Sequence, residues 1–166
     1  MKKEFHYQVD MKAKTLWMFS MYHSNRGLYG AFNLIFTLAA LYLIVFRWGI
    51  MDTGIRVVAI VCALLFTVWQ PMLLYTKAAR QARLPVMQMP LELDFNEEGI
   101  RVAQGGQQQE VAWDLVGRVI TLPFLVIFYM DSVHAYLLPM KTVGADKDEL
   151  LACLKTHVPK ERLKRF

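Results

Sequence analysis

The side chains that could carry out acid–base chemistry are spread along the sequence without a recognisable catalytic spacing. Catalysis requires groups that converge on one reacting atom, whereas the carboxylates fall on predicted strand exteriors and turns, where acidic side chains are normally solvated. These carboxylates are Glu92, Asp94, Glu97, Glu98 and Asp114. The sequence therefore predicts no catalytic residue and a protein that is not an enzyme. An enzyme would be favoured only by a pocket that gathers Asp114, His134 and Lys141.

Metal and cofactor sites are not predicted either. The four histidines are scattered and show no Glu-x-x-His or His-x-x-x-His spacing. We expect neither Cys62 nor Cys153 to have a Cys or His ligand partner nearby, and their different surroundings argue against a disulfide. The pair Gly105-Gly106 lies between predicted strands rather than ahead of a helix, so it predicts a hairpin turn and not a phosphate-binding loop.

Two long apolar runs dominate the first half of the chain. They cover residues 28–46 and 55–75, and only Arg56, near the start of the second run, is charged. About 20 apolar residues are needed to cross the hydrocarbon layer of a bilayer. The 166-residue chain is therefore predicted to be an α+β membrane protein with a transmembrane helical hairpin over residues 28–75.

The basic residues predict how this hairpin is oriented. Lysines and arginines flank the outer ends of the two runs, whereas only Arg47 and Arg56 lie around the connecting loop. Positive residues favour the cytoplasmic side, so we expect a multi-pass protein of the cell membrane with both termini in the cytoplasm. The net charge of +5 is then explained by this topology and by the attraction of basic residues to the headgroups of membrane lipids. The basic C-terminal tail lacks interleaved aromatic residues, so no nucleic-acid partner is predicted.

Small and polar residues predict the face on which the two helices meet. Asn33 and Gln70 lie at matching depth in an antiparallel hairpin and should form a hydrogen bond, because an unpaired amide is costly in hydrocarbon. Thr37 is expected opposite Thr67, and small residues should allow close approach. The predicted seam consists of Gly30, Asn33, Thr37, Ala63, Thr67 and Gln70.

The sequence outside the two apolar runs predicts an N-terminal arm, a connector and a β-rich domain. In the arm, residues 1–27, a short strand precedes a helix expected to lie at the membrane interface. A connector over residues 76–90 leads to a cytoplasmic antiparallel sheet domain over residues 91–166, with strands joined as a meander and closed by a C-terminal helix near residues 146–155. Gly99 is expected to adopt a positive φ in the first turn.

The β-rich segment resembles the YcxB-like family. The matching features are the acidic turn Asn96 to Gly99, the step Trp113-Asp114, the apolar strand pair Phe124 to Leu138, and Pro139 followed by Lys141. Met140 separates the proline from the lysine, which departs from the family pattern. The resemblance implies an arm and two membrane helices ahead of a pleckstrin-homology-like domain, a bent antiparallel sheet with a C-terminal helix, and no established reaction.

Folded β structure without reactive groups favours a binding module. We expect the domain, tethered at the inner leaflet, to engage a protein partner or lipid headgroups, with a candidate binding surface formed by Asn96, Glu97, Glu98 and Gly99. The alternative is an immunity or transporter-accessory subunit that recognises another membrane protein through the hairpin. Two spans enclose no pore unless chains assemble, so the sequence leaves homo-oligomer formation open.

Overall fold

The computed structural model describes residues 4–131 and 134–165. The chain divides into two compact units, which differ from the division expected from the sequence. The hairpin unit comprises residues 16–81, and the sheet unit combines residues 1–15 with residues 82–166. The start of the N-terminal arm thus belongs with the β-rich domain, although the two are separated in sequence by both apolar runs.

The hairpin unit is built from helices. Helix α1 (Ala13–Ser24) leads into α2 (Leu28–Phe46), and after a short loop α3 (Thr53–Leu64) begins the return. The carboxylate of Asp52 caps α3 by accepting from the backbone N–H of Ile55 at 3.1 Å. A π-helical turn (Leu65–Trp69) and α4 (Gln70–Ala82) continue the same helix. Two helices are therefore long and apolar enough to cross a membrane, residues 28–46 and 53–82.

The first sheet of the sheet unit has the strand order β1-β2-β3-β4 and is antiparallel throughout. Its strands are β1 (Phe5–Val9), β2 (Leu91–Phe95), β3 (Gly99–Gln104) and β4 (Gln107–Ala112), and the short helix α5 (Pro85–Gln88) precedes β2. Alternating burial along β1 and β2 places one face of the sheet in the core. The predicted N-terminal strand is therefore present, and it pairs with β2 as an edge strand.

The second sheet has the order β7-β6-β5-β8. It contains β5 (Arg118–Leu122), β6 (Leu125–Tyr129), β7 (Ala135–Pro139) and β8 (Leu163–Lys164). Antiparallel pairs join β5 to β6 and β6 to β7, whereas β8 pairs parallel to β5. The predicted turn Asp131-Ser132 includes Ser132, and the predicted strand after it begins at Val133; both Ser132 and Val133 lie outside the described residues.

Helices follow the second sheet in sequence. They are α6 (Met140–Val143) and α7 (Lys147–His157), the latter being the predicted C-terminal helix displaced by one or two residues. Leu150 and Leu154 of α7 are buried. The rings of Phe95 on β2 and Phe128 on β6 lie 5.4 Å apart, so the inner faces of the two sheets meet in one core.

Three features of the sheet unit differ from the sequence prediction. The expected single meander is two sheets, because a 3₁₀ turn (Trp113–Leu115) separates β4 from β5. Gly99 has no positive φ. Glycine is required at this position because a Cβ would lie 2.1 Å from the carbonyl oxygen of Val111. The basic C-terminal tail is folded, which the sequence did not predict, since Arg162 donates to the carbonyl oxygen of Asp114 at 2.7 Å and β8 follows it.

Candidate functional site

The predicted acidic turn is closed by hydrogen bonds to one side chain. The side-chain oxygen of Asn96 accepts hydrogen bonds from the backbone N–H groups of Glu98 at 2.9 Å and Gly99 at 2.8 Å. This arrangement is an Asx turn, in which a side chain replaces a backbone acceptor. Gly99 is buried while the side chains of Glu97 and Glu98 are exposed. The turn therefore presents two carboxylates to solvent from a fixed backbone.

Trp113 connects this turn to the core. Its indole N–H donates to the carbonyl oxygen of Asn96 at 3.0 Å. Its ring stacks on Phe95, with centroids 6.3 Å apart, and on His157, with centroids 5.2 Å apart. The side chain is 7% exposed, so Trp113 is a packing residue of the core. The same side chain also fixes the position of the acidic turn.

Helix α7 brings Cys153 and His157 together, which corrects the expectation that Cys153 has no histidine nearby. The two residues are four apart, so they lie on one face of the helix, and Cys153 Sγ is 3.6 Å from His157 Nδ1. The spacing Cys-x-x-x-His is the signal in the sequence for this contact. Among the described residues, no group of three or more potential ligands could hold a metal ion. Burial raises the pKa of the Cys153 thiol, so the thiol is neutral at physiological pH.

The turn and α7 border one cleft of about 680 Å³. Strand β1, the β2–β3 turn and α7 all contribute to its lining, so residues from distant parts of the sequence meet there. The lining residues are Glu4, Phe5, Asn96, Glu97, Glu98, Glu149, Ala152, Cys153 and His157. Three members of the predicted binding surface, Asn96, Glu97 and Glu98, are therefore part of a concave site. Sequence reasoning missed the contribution of β1 and α7.

The residues that an enzyme would have required are not gathered at this cleft. Asp114, His134 and Lys141 are exposed on separate elements, and none of them lines the cleft. His134 instead pairs with the carboxylate of Asp131, three residues earlier, at 2.7 Å. The arrangement at the cleft can bind a ligand through carboxylates, an amide and an imidazole.

The predicted hairpin seam is present in part. Asn33 Nδ2 lies 3.3 Å from Gln70 Oε1 and donates to it, and Gln70 Nε2 donates to Ser24 Oγ at 3.1 Å. Asn33, Thr37 and Gln70 are half-buried, and Ala63 is buried. The structure therefore brings the two predicted amides together and extends their contact to α1.

Thr67 and Gly30 have other roles than the prediction gave them. Thr67 is exposed, and its hydroxyl donates to the carbonyl oxygen of Ala63 at 2.7 Å in its own helix. The π-helical turn adds a residue locally, so Phe66 rather than Thr67 faces α2. The ring centroids of Phe66 and Phe36 are 6.1 Å apart. Gly30 serves the turn between α1 and α2, because a Cβ there would lie 1.9 Å from the carbonyl oxygen of Asn25.

Fold and cleft together define a class of protein: an α+β chain with antiparallel sheets, two long apolar helices and an acidic concave site. Residues 95–154 match the family model described as YcxB-like protein, which confirms the resemblance seen in the sequence. The matched segment begins at the acidic turn and extends into α7, whereas both apolar helices lie outside it. Comparison with curated proteins and with solved structures gives no match.

Proposed function

We propose that this protein is a non-enzymatic binding module tethered to the cytoplasmic membrane. In this proposal α2 and the continuous helix over residues 53–82 span the bilayer, and the sheet unit lies in the cytoplasm. Large apolar side chains such as Phe32, Ile35 and Val57 are more than half exposed. Apolar surface in water costs about 25 cal/mol per Å², which supports lipid as the surroundings of these helices.

The pre-formed cleft is the observation that carries the binding role. Clefts for ligands are concave, are built in advance and combine apolar walls with a few placed polar groups. The described lining of this cleft combines the apolar side chains of Phe5 and Ala152 with the exposed carboxylates of Glu4 and Glu98. Carboxylates repel anionic headgroups, so a protein partner is favoured over lipid as the ligand of the cleft.

The hairpin and the sheet unit contribute differently to the proposal. The seam amides of Asn33 and Gln70 bond to each other, which supports a role in holding the hairpin together. Antiparallel sheets with a C-terminal helix support the further likeness of the sheet unit to pleckstrin-homology-like domains. The tether then keeps the cleft close to partners at the inner leaflet and raises their effective concentration.

Photocrosslinking in cells tests this function. A photoreactive residue is placed at Glu98 in the cleft, with Gln108 on β4 and Thr37 on α2 as comparison positions. Each is combined with Ala152→Trp, which fills the cleft from α7, or with Thr156→Trp, an exposed position on the same helix outside the lining.

We expect a protein captured from Glu98 and not from Gln108, with capture lost in Ala152→Trp and retained in Thr156→Trp. Capture from Thr37 alone would support recognition through the hairpin and contradict the proposal. Capture from Glu98 that persists unchanged in Ala152→Trp would also contradict it, because the partner would then bind without using the cleft.

A further inference from the structure

The edge strands of the two sheets differ in how open they are to pairing with another strand. An edge strand exposes backbone N–H and C=O groups, and proteins protect such an edge with a short strand, a proline, a lysine or a covering element. Strand β8 has two residues and includes Lys164, β7 carries Pro139, and α6 lies beside β1. Strand β4 has none of these features, so it is the open edge among the described strands.

Strand β4 is regular and exposed over its whole length. It continues the ladder with β3 without a bulge from Gln107 to Ala112, and all of its residues except Val111 are exposed. Glu110 is its one charged residue, and Oε1 of this carboxylate accepts from Arg101 at 2.8 and 3.1 Å. The strand is therefore a flat, nearly neutral template for a further strand.

The hairpin turn determines which backbone groups of β4 face outward. Gln104 and Gln107 flank the two-residue turn and lie opposite each other, and such a pair exchanges both hydrogen bonds. Hydrogen-bonded and non-hydrogen-bonded pairs then alternate along the ladder. Gln109 therefore bonds to β3, whereas the backbone groups of Gln108 and Glu110 point out of the sheet.

We propose that β4 pairs antiparallel with β4 of a second copy of this chain, about a two-fold axis at Gln109. Gln108 of each copy then faces Glu110 of the other, and the two residues exchange backbone hydrogen bonds. A two-fold contact uses the same surface on both copies, so this pair occurs twice and the first sheet continues across the dimer. The inference goes beyond the proposed function and does not depend on the cleft.

The side chains of β4 are complementary to those of a second copy. A glutamine amide both donates and accepts hydrogen bonds, so Gln109 meets its own copy on the axis without repulsion. The amide of Gln108 donates to Oε2 of Glu110 in the second copy, the oxygen that Arg101 does not use.

Other registers of the same pairing are less favourable. An axis at Glu110 places like charges opposite each other, which is destabilising. An axis at Gln108 pairs only residues 107–109 of the strand, whereas an axis at Gln109 pairs residues 107–111. The register at Gln109 therefore combines the longer overlap with the absence of like-charge pairs.

Disulfide trapping in the full-length protein tests this register. In a background with Cys62→Ala and Cys153→Ala, a single cysteine is placed at each position from 107 to 110, and isolated membranes are oxidised. Residues opposite each other in a non-hydrogen-bonded pair have Cα atoms about 4.5 Å apart, within the range of a disulfide. Two copies of Gln107 would lie about 13 Å apart in the proposed register.

Gln109→Cys should give about fivefold more disulfide-linked dimer than Gln107→Cys, which is its matched control on the same face of the strand. Equal linking at all of these positions, no linking, or a maximum at another position would overturn the inference.

An exchange of two side chains provides a second test, with dimerisation measured by sedimentation of the full-length protein in detergent micelles. Gln108→Glu places glutamates opposite each other at both pairs and should weaken dimerisation by about three- to thirtyfold. The double variant Gln108→Glu/Glu110→Gln restores one amide and one carboxylate in each pair and should recover it. No loss in the single variant, or an equal loss in the double variant, would contradict the proposed pairing.

Photocrosslinking from Gln108 distinguishes a second copy from another occupant of the edge. Two differently tagged copies of this chain should be linked to each other from Gln108, whereas the partner expected at Glu98 should not be captured there. Capture of a different protein from Gln108 would overturn the inference. Loss of capture from Glu98 would contradict the proposed function and leave the dimer unaffected, so the two failures are distinguishable.

Discussion

Trp113 shows how one side chain links the core of the sheet unit to its binding cleft. The ring lies between Phe95 and His157, and the indole N–H holds the carbonyl of Asn96. The turn thereby presents its carboxylates at the cleft without burying them in the core. A composition-based argument predicts that such a tryptophan is buried. It does not predict the hydrogen bond, which depends on how the strands meet in space.

His6 provides a prediction at the same scale. It faces Asp94 across the β1–β2 pair, and the hydrogen bond with Asp94, followed by the charge of that carboxylate, raises the pKa of His6 above its usual 6.5. A raised histidine pKa stabilises the fold below about pH 6.5, and the stabilisation is lost as pH rises through the raised pKa. The side chain is 64% exposed, so solvent keeps this contribution small.

We expect Asp94→Asn to lower the pKa of His6 towards 6.5, measured by NMR titration, and to reduce the fall in melting temperature between about pH 6 and pH 9. Glu92→Gln is the control, because the charge of Glu92 is the weakest of the causes that raise this pKa, and it should lower the pKa less. An unchanged His6 pKa in Asp94→Asn would show that the pair does not form in solution.

At the scale of elements, the hairpin is held by a polar cluster near the ends of its two helices. The side chain of Asn33 bonds both Gln70 and Asn25, each at 3.3 Å. The indole N–H of Trp17 donates to the carbonyl of Pro71 at 3.0 Å. The expected interfacial helix therefore packs against the returning helix through its tryptophan. These contacts join α1, α2 and α4 within one unit.

A double-mutant cycle with Asn33→Leu and Gln70→Leu measures this contact. Each single variant leaves an amide with fewer partners and should lower the free energy of unfolding by about 1 kcal/mol. The coupling energy between the two substitutions should be about 0.5–1.5 kcal/mol. Stability is measured as unfolding of the full-length protein in detergent micelles. Thr67→Val is the control, and it should cost less than about 0.5 kcal/mol because Thr67 is exposed. A coupling energy near zero would show that the two amides do not meet.

The sequence predicts elements well where a local pattern determines them. Residues 28–46 were expected as a helix from their apolar run and form α2 with those bounds. The turn at Gly105-Gly106 was expected from its glycines, and both have positive φ. The inward position of Phe66 was not predictable from a regular helical period, because the π-helical turn shifts the register ahead of Pro71.

Long-range pairing accounts for most of what the sequence did not predict. Strand β1 joins β2 across more than eighty intervening residues, and no local pattern specifies such a partner. The cleft depends on this pairing, because Glu4 and Phe5 enter the site only through β1. The candidate turn could therefore be found from sequence, whereas the cavity around it required the tertiary structure.

At the scale of the whole molecule, two units with different surfaces are joined in one chain. The hairpin unit exposes large apolar side chains along both long helices, and the sheet unit keeps its apolar side chains largely in its core. A large exposed apolar surface such as that of the hairpin unit is typical of proteins that contact a membrane or a protein partner there. For the proposed tethering, both helices must cross the bilayer and the sheet unit must face the cytoplasm.

Cysteine accessibility in intact cells tests that requirement directly. In a background with Cys62→Ala and Cys153→Ala, single cysteines are placed at Gly49, where a Cβ meets nothing within 4 Å, and at Gln108, which is exposed on β4. A membrane-impermeant maleimide should label Gly49→Cys in intact cells and Gln108→Cys only after permeabilisation. Labelling of Gln108→Cys in intact cells, or equal labelling of both without permeabilisation, would contradict a cytoplasmic binding module tethered by a transmembrane hairpin.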